Sequence, residues 1–347
     1  MKLGIAGRPQ AGKSTLFAAL TGARGDAIPG NSHKDTRIAT ITVLDERIDF
    51  LVEMYQPKKI AYAKIEYLLP SRIPGVSDAK SEGEFWNQIR ICDGILHVVR
   101  NFEDMGASPA DSEADFNQVE DEMILSDLGV VEKRLERIAL DFKRGKKQGE
   151  PEIPLLNTCR EMLEEGEPLR NKPEISADPL LRGFTFLSAK PMLVLINNGD
   201  EDENLPAWTL GRENLSFVVV RGKLEMDLAS MTMEEAEEFL EAYNIQESAL
   251  DRVITHSYGM LNRISFFTVG ADEVKAWPIP AGIPALEAAG EVHSDIRQGF
   301  IRAEVVAYDD LKAEGSFQAA KKAGLVRLEG KEYIVKDGDI INYRFNV

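Results

Sequence analysis

Short apolar runs alternate with amphipathic stretches over the first part of the chain, and the two read in turn as strands and helices. Residues 3–6 form a brief apolar run that opens onto a glycine-containing loop, and residues 14–20 follow with helical character. Residues 38–44 are rich in β-branched side chains, and residues 63–69 make a further strand. Residues 81–91 carry helical spacing, with Phe85, Ile89 and Cys92 on one face, and residues 94–100 (GILHVVR) read as a buried strand. Strands alternating with helices predict βαβ units and a largely parallel sheet.

The period changes near residue 117. Ile124, Leu128, Val131, Leu135, Ile138 and Phe142 recur at steps of 4, 3, 4, 3 and 4 residues, a heptad seam with charged residues between. The run Gly145-Lys146-Lys147-Gln148-Gly149 breaks that helix, and Ile153, Leu156, Cys159 and Leu163 mark a second amphipathic stretch. Together they predict an antiparallel helical hairpin inserted into the α/β domain. Its seam packs the two helices on each other; the alternative is a partner-binding surface.

Strand patterns return at residues 192–196 and 216–220, and residues 232–243 form an acidic amphipathic helix that Ser230 or Thr232 could cap. From about Asn262 the pattern becomes mostly β. The turn Lys336-Asp337-Gly338-Asp339 leads to a strand with Ile341, Tyr343, Phe345 and Val347 on one face and Asn342, Arg344 and Asn346 on the other.

Composition narrows the class. The chain has 347 residues, 44% of them hydrophobic and 29% charged, enough for two or three domains with a large core. Its two cysteines, Cys92 and Cys159, suggest neither a disulfide framework nor a zinc site, and a reducing cytoplasm is the expected location. No targeting signal is expected, since Met1-Lys2 runs straight into a strand, and no apolar stretch reaches membrane-spanning length. A net charge of −17 argues against coating nucleic acid by bulk electrostatics, while leaving room for an RNA or ribosome partner met through a local patch. No membrane contact and no DNA sequence recognition are expected.

The strongest chemical signal is Gly7-Arg8-Pro9-Gln10-Ala11-Gly12-Lys13-Ser14, which fits G-x-x-x-x-G-K-[ST] without a gap. Glycines let the backbone turn its N–H groups inward to cradle phosphate oxygens, and the following helix adds the partial positive charge of its N-terminus. Gly7, Pro9, Gln10, Ala11, Gly12, Lys13, Ser14 and Thr15 are therefore the candidate phosphate-binding residues. Lys13 would reach the β- and γ-phosphates, and the Ser14 hydroxyl would ligate Mg²⁺ beside GTP or ATP. No other catalytic set competes: His33, His97, His256 and His293 are scattered, and His97 sits in a strand where a structural role is expected.

From GRPQAGKSTLFAALTG through LDERIDFLVEMYQPKK, ICDGILHVVRNF, FFTVGADEVKAWPI and HSDIRQGFIRAEVVAYDDL to KEYIVKDGDIINYRFNV, the chain resembles the YchF/Obg-like ATPases of the translation-factor GTPase class. The resemblance implies a P-loop GTPase-like domain (residues 1–116 and 189–261), a helical, coiled-coil insertion (117–188) and a TGS-like domain of β-grasp fold (262–347). It also implies slow hydrolysis of ATP or GTP and association with ribosomes.

The departures from that family bear on chemistry. Its D-x-x-G motif, which holds Mg²⁺ through water and senses the γ-phosphate, falls here on Leu69-Pro70-Ser71-Arg72. Leucine cannot hold a metal-bound water, and proline lacks an N–H. Arg72 either reaches a phosphate with its guanidinium or lies solvated. The threonine that ligates Mg²⁺ before the second strand aligns with His33 without gaps and with Thr36 after a small gap; a hydroxyl suits Mg²⁺ better, which favours Thr36. Asn197-Asn198-Gly199-Asp200 is spaced like N-K-x-D, which makes Asn197 and Asp200 the candidate base-binding residues. Relatives carry N-x-x-E and tend towards adenine, so Asp200 tilts this chain towards guanine. Arg221-Gly222-Lys223 stands imperfectly in the place of S-A-K. The expected function is nucleoside-triphosphate binding with slow hydrolysis at most. The alternatives are a hydrolysis-deficient adaptor and a scaffold acting through the hairpin and the C-terminal domain.

Overall fold

The computed structural model describes residues 1–27, 36–71, 79–103, 109–146, 149–212, 214–242 and 248–346. His33, Arg72 and Val347 lie outside them. The chain forms two compact units, Met1–Ile41 with Glu66–His256, and Thr42–Ile65 with Ser257–Val347. In chain order the first eight strands are β1 (Lys2–Ala6), β2 (Gly25–Ala27), β3 (Arg37–Thr42), β4 (Lys59–Ala61), β5 (Lys64–Leu69), β6 (Gly94–Asn101), β7 (Met192–Asn198) and β8 (Ser216–Val220).

In the first unit seven of these make one sheet in the order β2-β3-β5-β1-β6-β7-β8. The pairs of β1 with β5 and β6, of β6 with β7, and of β7 with β8 are all parallel. Every residue of β7 is buried, and so is all of β6 except Asn101. Helices cover both faces of such strands, which is why they read as continuous apolar runs rather than as alternation.

The long helix Ser112–Lys143 serves two cores in succession. Its first turns place Phe116, Val119 and Met123 on the sheet beside Ile95, Val99 and Val194. From Ile124 onward the predicted seam takes over: Ile124, Val131 and Ile138 pack with Leu156, Cys159 and Leu163 of the return helix Ile153–Glu164. Asp127, wholly buried, fixes the base of the hairpin. Its carboxylate accepts from the backbone N–H of Leu187 (3.0 Å) and of Ser188 (2.7 Å) and pairs with Arg90 (2.9 Å). The acidic helix is Met233–Ala242, and Thr232 rather than Ser230 caps it. Its hydroxyl accepts from Glu235 N while the Glu235 carboxylate accepts from Thr232 N, a reciprocal capping box.

The second unit adds β9 (Arg263–Val269), β10 (Glu273–Pro280), β11 (Phe300–Ala307), β12 (Arg327–Glu329) and β13 (Asp339–Phe345), in the sheet order β12-β11-β13-β9-β10-β4. The central pair β13–β9 is parallel and flanked by antiparallel neighbours. The helix Ala285–Val292 buries Ala285, Ala288 and Ala289 among Phe266, Val305 and Ile341. That order is a β-grasp fold. The edge strand β4 and the helix Glu46–Tyr55 come from residues 42–65, which the sequence scheme groups with the P-loop segment. Ile48 and Leu51 of that helix pack with Phe267, Val274 and Ile340. Arg47 bonds Asp337 at 2.7 Å and lies over the Phe267 ring at 5.0 Å. Local periodicity reads such a segment as helix and strand but cannot say which sheet it joins.

Candidate nucleotide site

The P-loop runs from the end of β1 into the helix Lys13–Arg24, whose first bond closes from Leu16 N to Gly12 O at 2.9 Å. Two glycines are fixed by space as well as by backbone angle. Gly7 has φ +140, and a Cβ there would stand 2.3 Å from the Val98 carbonyl oxygen. Gly12 has φ +93, and a Cβ there would stand 2.2 Å from Asn197 Nδ2. Gln10 takes a left-handed φ of 63 at the tip of the loop.

Lys13 is almost entirely buried. Its ammonium donates to the carbonyl oxygens of Gly7 (2.8 Å) and Arg8 (2.5 Å). Burial, reinforced by the Arg8 charge and opposed by Asp115, pushes its pKa down to about 8. The loop is thus closed on its own cation, which stands ready to exchange carbonyl partners for phosphate oxygens.

A cavity of about 720 Å³ opens in front of this loop, between Gln10–Thr15 on one wall and Phe102, Asn197–Asp200, Lys223 and Met226 on the others. Ligands of open α/β sheets sit at the carboxyl ends of the strands, and here the walls follow β1, β6 and β7.

Asn197 ties those walls together. Its side chain is buried; Nδ2 donates to Ala11 O (3.0 Å) and Oδ1 accepts from Gly222 N (2.9 Å). Both ends of the amide are engaged in holding the loop, and the exposed residue Asp200 lines the same cavity. Asn198 is also spent on structure, donating to Asp202 O and Asn204 O and accepting from Asn101. Arg221 pins the loop from the far side through Glu203 (2.9 Å).

Of the sequence candidates, Gln10, Ala11, Gly12, Lys13, Ser14, Thr15, Asn197 and Asp200 share this cavity. Thr36 does not line it; its hydroxyl bonds the side-chain oxygen of Gln88. Leu69 closes β5 as a buried residue and Pro70 follows it, also buried, so the position of the missing aspartate offers no oxygen ligand. Phe102, Glu103 and Met226 were not singled out from sequence. The available signal was their place just past a strand end or within the helix after β8.

The fold and the loop together define a P-loop nucleotide-binding protein of the GTPase type. The profile described as "50S ribosome-binding GTPase" matches residues 2–129. The YchF-GTPase C-terminal profile, described as "Protein of unknown function (DUF933)", matches residues 263–346. The "Ribosome-binding ATPase YchF" of Bacillus subtilis (strain 168) is 38% identical over 99% of this chain and 99% of its own length. The protein of the same name from Escherichia coli O157:H7 is 36% identical over 100% and 99%. The structure titled "Structure of the Schizosaccharomyces pombe YchF GTPase" superposes with a TM-score of 0.84 at 28% identity, covering 99% of this chain and 97% of that one. The chain belongs to the YchF family. Among the described residues no helix is long and apolar enough to cross a membrane.

Proposed function

We propose that this chain binds a purine nucleoside triphosphate with Mg²⁺, hydrolyses it slowly at most, and acts on the ribosome. One observation carries the reading: a buried lysine on a closed P-loop faces the same cavity as the Asp200 loop. The relatives' names supply the ribosome. Mg²⁺ fits the donor set in a limited way. The Ser14 hydroxyl, exposed at the cavity, would supply one oxygen, and phosphates and water the rest, as this ion accepts. Bound there it would neutralise charge on the phosphates. Asp200 would accept from guanine N1–H and the exocyclic amine, which favours guanine; the relatives carry ATPase in their names. Titrating the protein calorimetrically with non-hydrolysable GTP and ATP analogues chooses the base, and absence of binding by both would sink the proposal.

A second reading, a hydrolysis-deficient adaptor, draws on buried Leu69 where the family's aspartate holds the metal's water. Phosphoryl transfer depends on positioning and charge, and this chain has lost one positioning group. A turnover assay with and without Mg²⁺ separates the two: metal-dependent release of phosphate supports the enzyme, and tight binding without release supports the adaptor.

A further inference from the structure

The phosphate loop contains one charged side chain that the nucleotide reading leaves unexplained, that of Arg8. It does not line the cavity in front of the loop. It turns back onto the helix Ser112–Lys143, where Nη1 stands 3.6 Å from the Glu122 carboxylate. That separation makes an ion pair but is too long for a hydrogen bond. Nη1 is shut off from solvent and has no hydrogen-bond partner among the described residues. A guanidinium donor left in that state is costly, and a stronger acceptor within reach would draw it away.

The loop's own geometry sets what is within reach. The Arg8 carbonyl oxygen accepts from Lys13 Nζ at 2.5 Å. The Arg8 charge also acts on that ammonium, helping burial to lower its pKa. A phosphate oxygen that takes the carbonyl's place on Lys13 therefore falls within the span of the Arg8 side chain. The same site lacks its usual reader of the terminal phosphate. β5 ends on the buried residues Leu69 and Pro70, which offer no carboxylate for a metal's water and, at the proline, no N–H.

A terminal phosphate brings more charge and more acceptor oxygens than one carboxylate held at a distance, and the planar fork of arginine matches it. A guanidinium set against a transferring phosphate also offsets the charge that builds there. We propose that Arg8 reads the γ-phosphate: when a triphosphate binds, its guanidinium leaves Glu122 and pairs with the terminal phosphate, replacing the contacts that the end of β5 has lost. The proposal rests on the nucleotide reading above and names the residue that tells a triphosphate from a diphosphate. Glu122 and the phosphate then compete for one cation, so removing either partner of the ion pair has an opposite effect on triphosphate affinity. A pair that merely braced the loop against the helix would give the same sign for both.

The test titrates the full chain calorimetrically, with Mg²⁺ present, against the β,γ-imido triphosphates of guanosine and adenosine and against the matching diphosphates. Arg8→Gln should weaken the triphosphate analogue about tenfold to a hundredfold, the value of one or two charge-assisted bonds. The diphosphate should weaken by less than about threefold, through screened long-range charge alone. Glu122→Gln should strengthen the triphosphate analogue about threefold, the value of a loose ion pair, and leave the diphosphate unchanged. Equal losses with both nucleotides in Arg8→Gln, or no loss with the triphosphate, overturn the proposal. So does weaker triphosphate binding by Glu122→Gln. If melting curves show that Arg8→Gln does not fold, the sign of the Glu122→Gln effect decides by itself. A parent chain that binds neither analogue sinks the nucleotide reading, whereas a parent that binds with Arg8→Gln unaffected sinks this proposal alone.

Discussion

The clearest quantitative consequence concerns Gly12 and Asn197, which share one small space. In Gly12→Ala the new Cβ would arrive 2.2 Å from Asn197 Nδ2 at a residue whose φ is +93. The unfavourable backbone angle costs about 1–2 kcal/mol. Moving the amide aside forfeits its bonds to Ala11 O and Gly222 N, about 1 kcal/mol each. The single variant should therefore lose about 3–4 kcal/mol. Asn197→Ala removes the same two bonds and strands a buried carbonyl and N–H, for about 2–4 kcal/mol. In the double variant the clash has no partner and the bonds are lost only once. Its destabilisation should fall short of the sum by about 2 kcal/mol. Urea unfolding read by tryptophan fluorescence measures this. In a Trp277→Phe background the remaining tryptophans, Trp86 and Trp208, both report on the first unit. Losses that add to within about 0.5 kcal/mol would show that the amide does not wedge the loop.

Four further outcomes can be checked. Lys13→Ala should weaken triphosphate binding about tenfold to a hundredfold by calorimetry, the value of one or two charge-assisted bonds. In the parent chain affinity should fall as pH rises through about 8, because the free protein then loses the Lys13 proton that the phosphates require. His97 is fully buried, its ring nitrogens have no hydrogen-bond partner among the described residues, and its pKa is pushed down to about 3 by burial. The unfolded chain binds a proton there below about 6.5 and the folded chain does not, so stability should drop as pH falls from 6.5, by up to about 1.4 kcal/mol per unit. His97→Leu should flatten that slope in urea midpoints taken between pH 7 and 5. Arg47→Met should cost the second unit about 1–2 kcal/mol, from a half-exposed ion pair with Asp337 and the stacking on Phe267, read through Trp277.

The sequence by itself determined the parts whose information is local. The phosphate loop is contiguous, so its spacing and flanking strand and helix were enough to name it. Apolar runs marked β6 and β7 because strands covered on both faces carry no polar positions. The seam from Ile124 to Ile138 was legible because a helix repeats its buried face every three or four residues. The gap at Leu69 was legible for the same reason, since one residue decides whether an oxygen is present.

Tertiary structure decided what depends on distant residues meeting. It sent the helix Glu46–Tyr55 and strand β4 to the second sheet, because Ile48 and Leu51 find their core among Phe267, Val274 and Ile340, more than two hundred positions away. It gave Asn197 a bracing role that its position in the sequence does not show, since only the folded chain brings Ala11 O and Gly222 N to opposite ends of one amide. It also gathered Lys321 and Arg344 around Glu304 from a tail whose sequence shows no basic run. Periodicity records which side of an element is buried. It carries nothing about which element lies across the interface, and ion pairs, braces and cavities are made there.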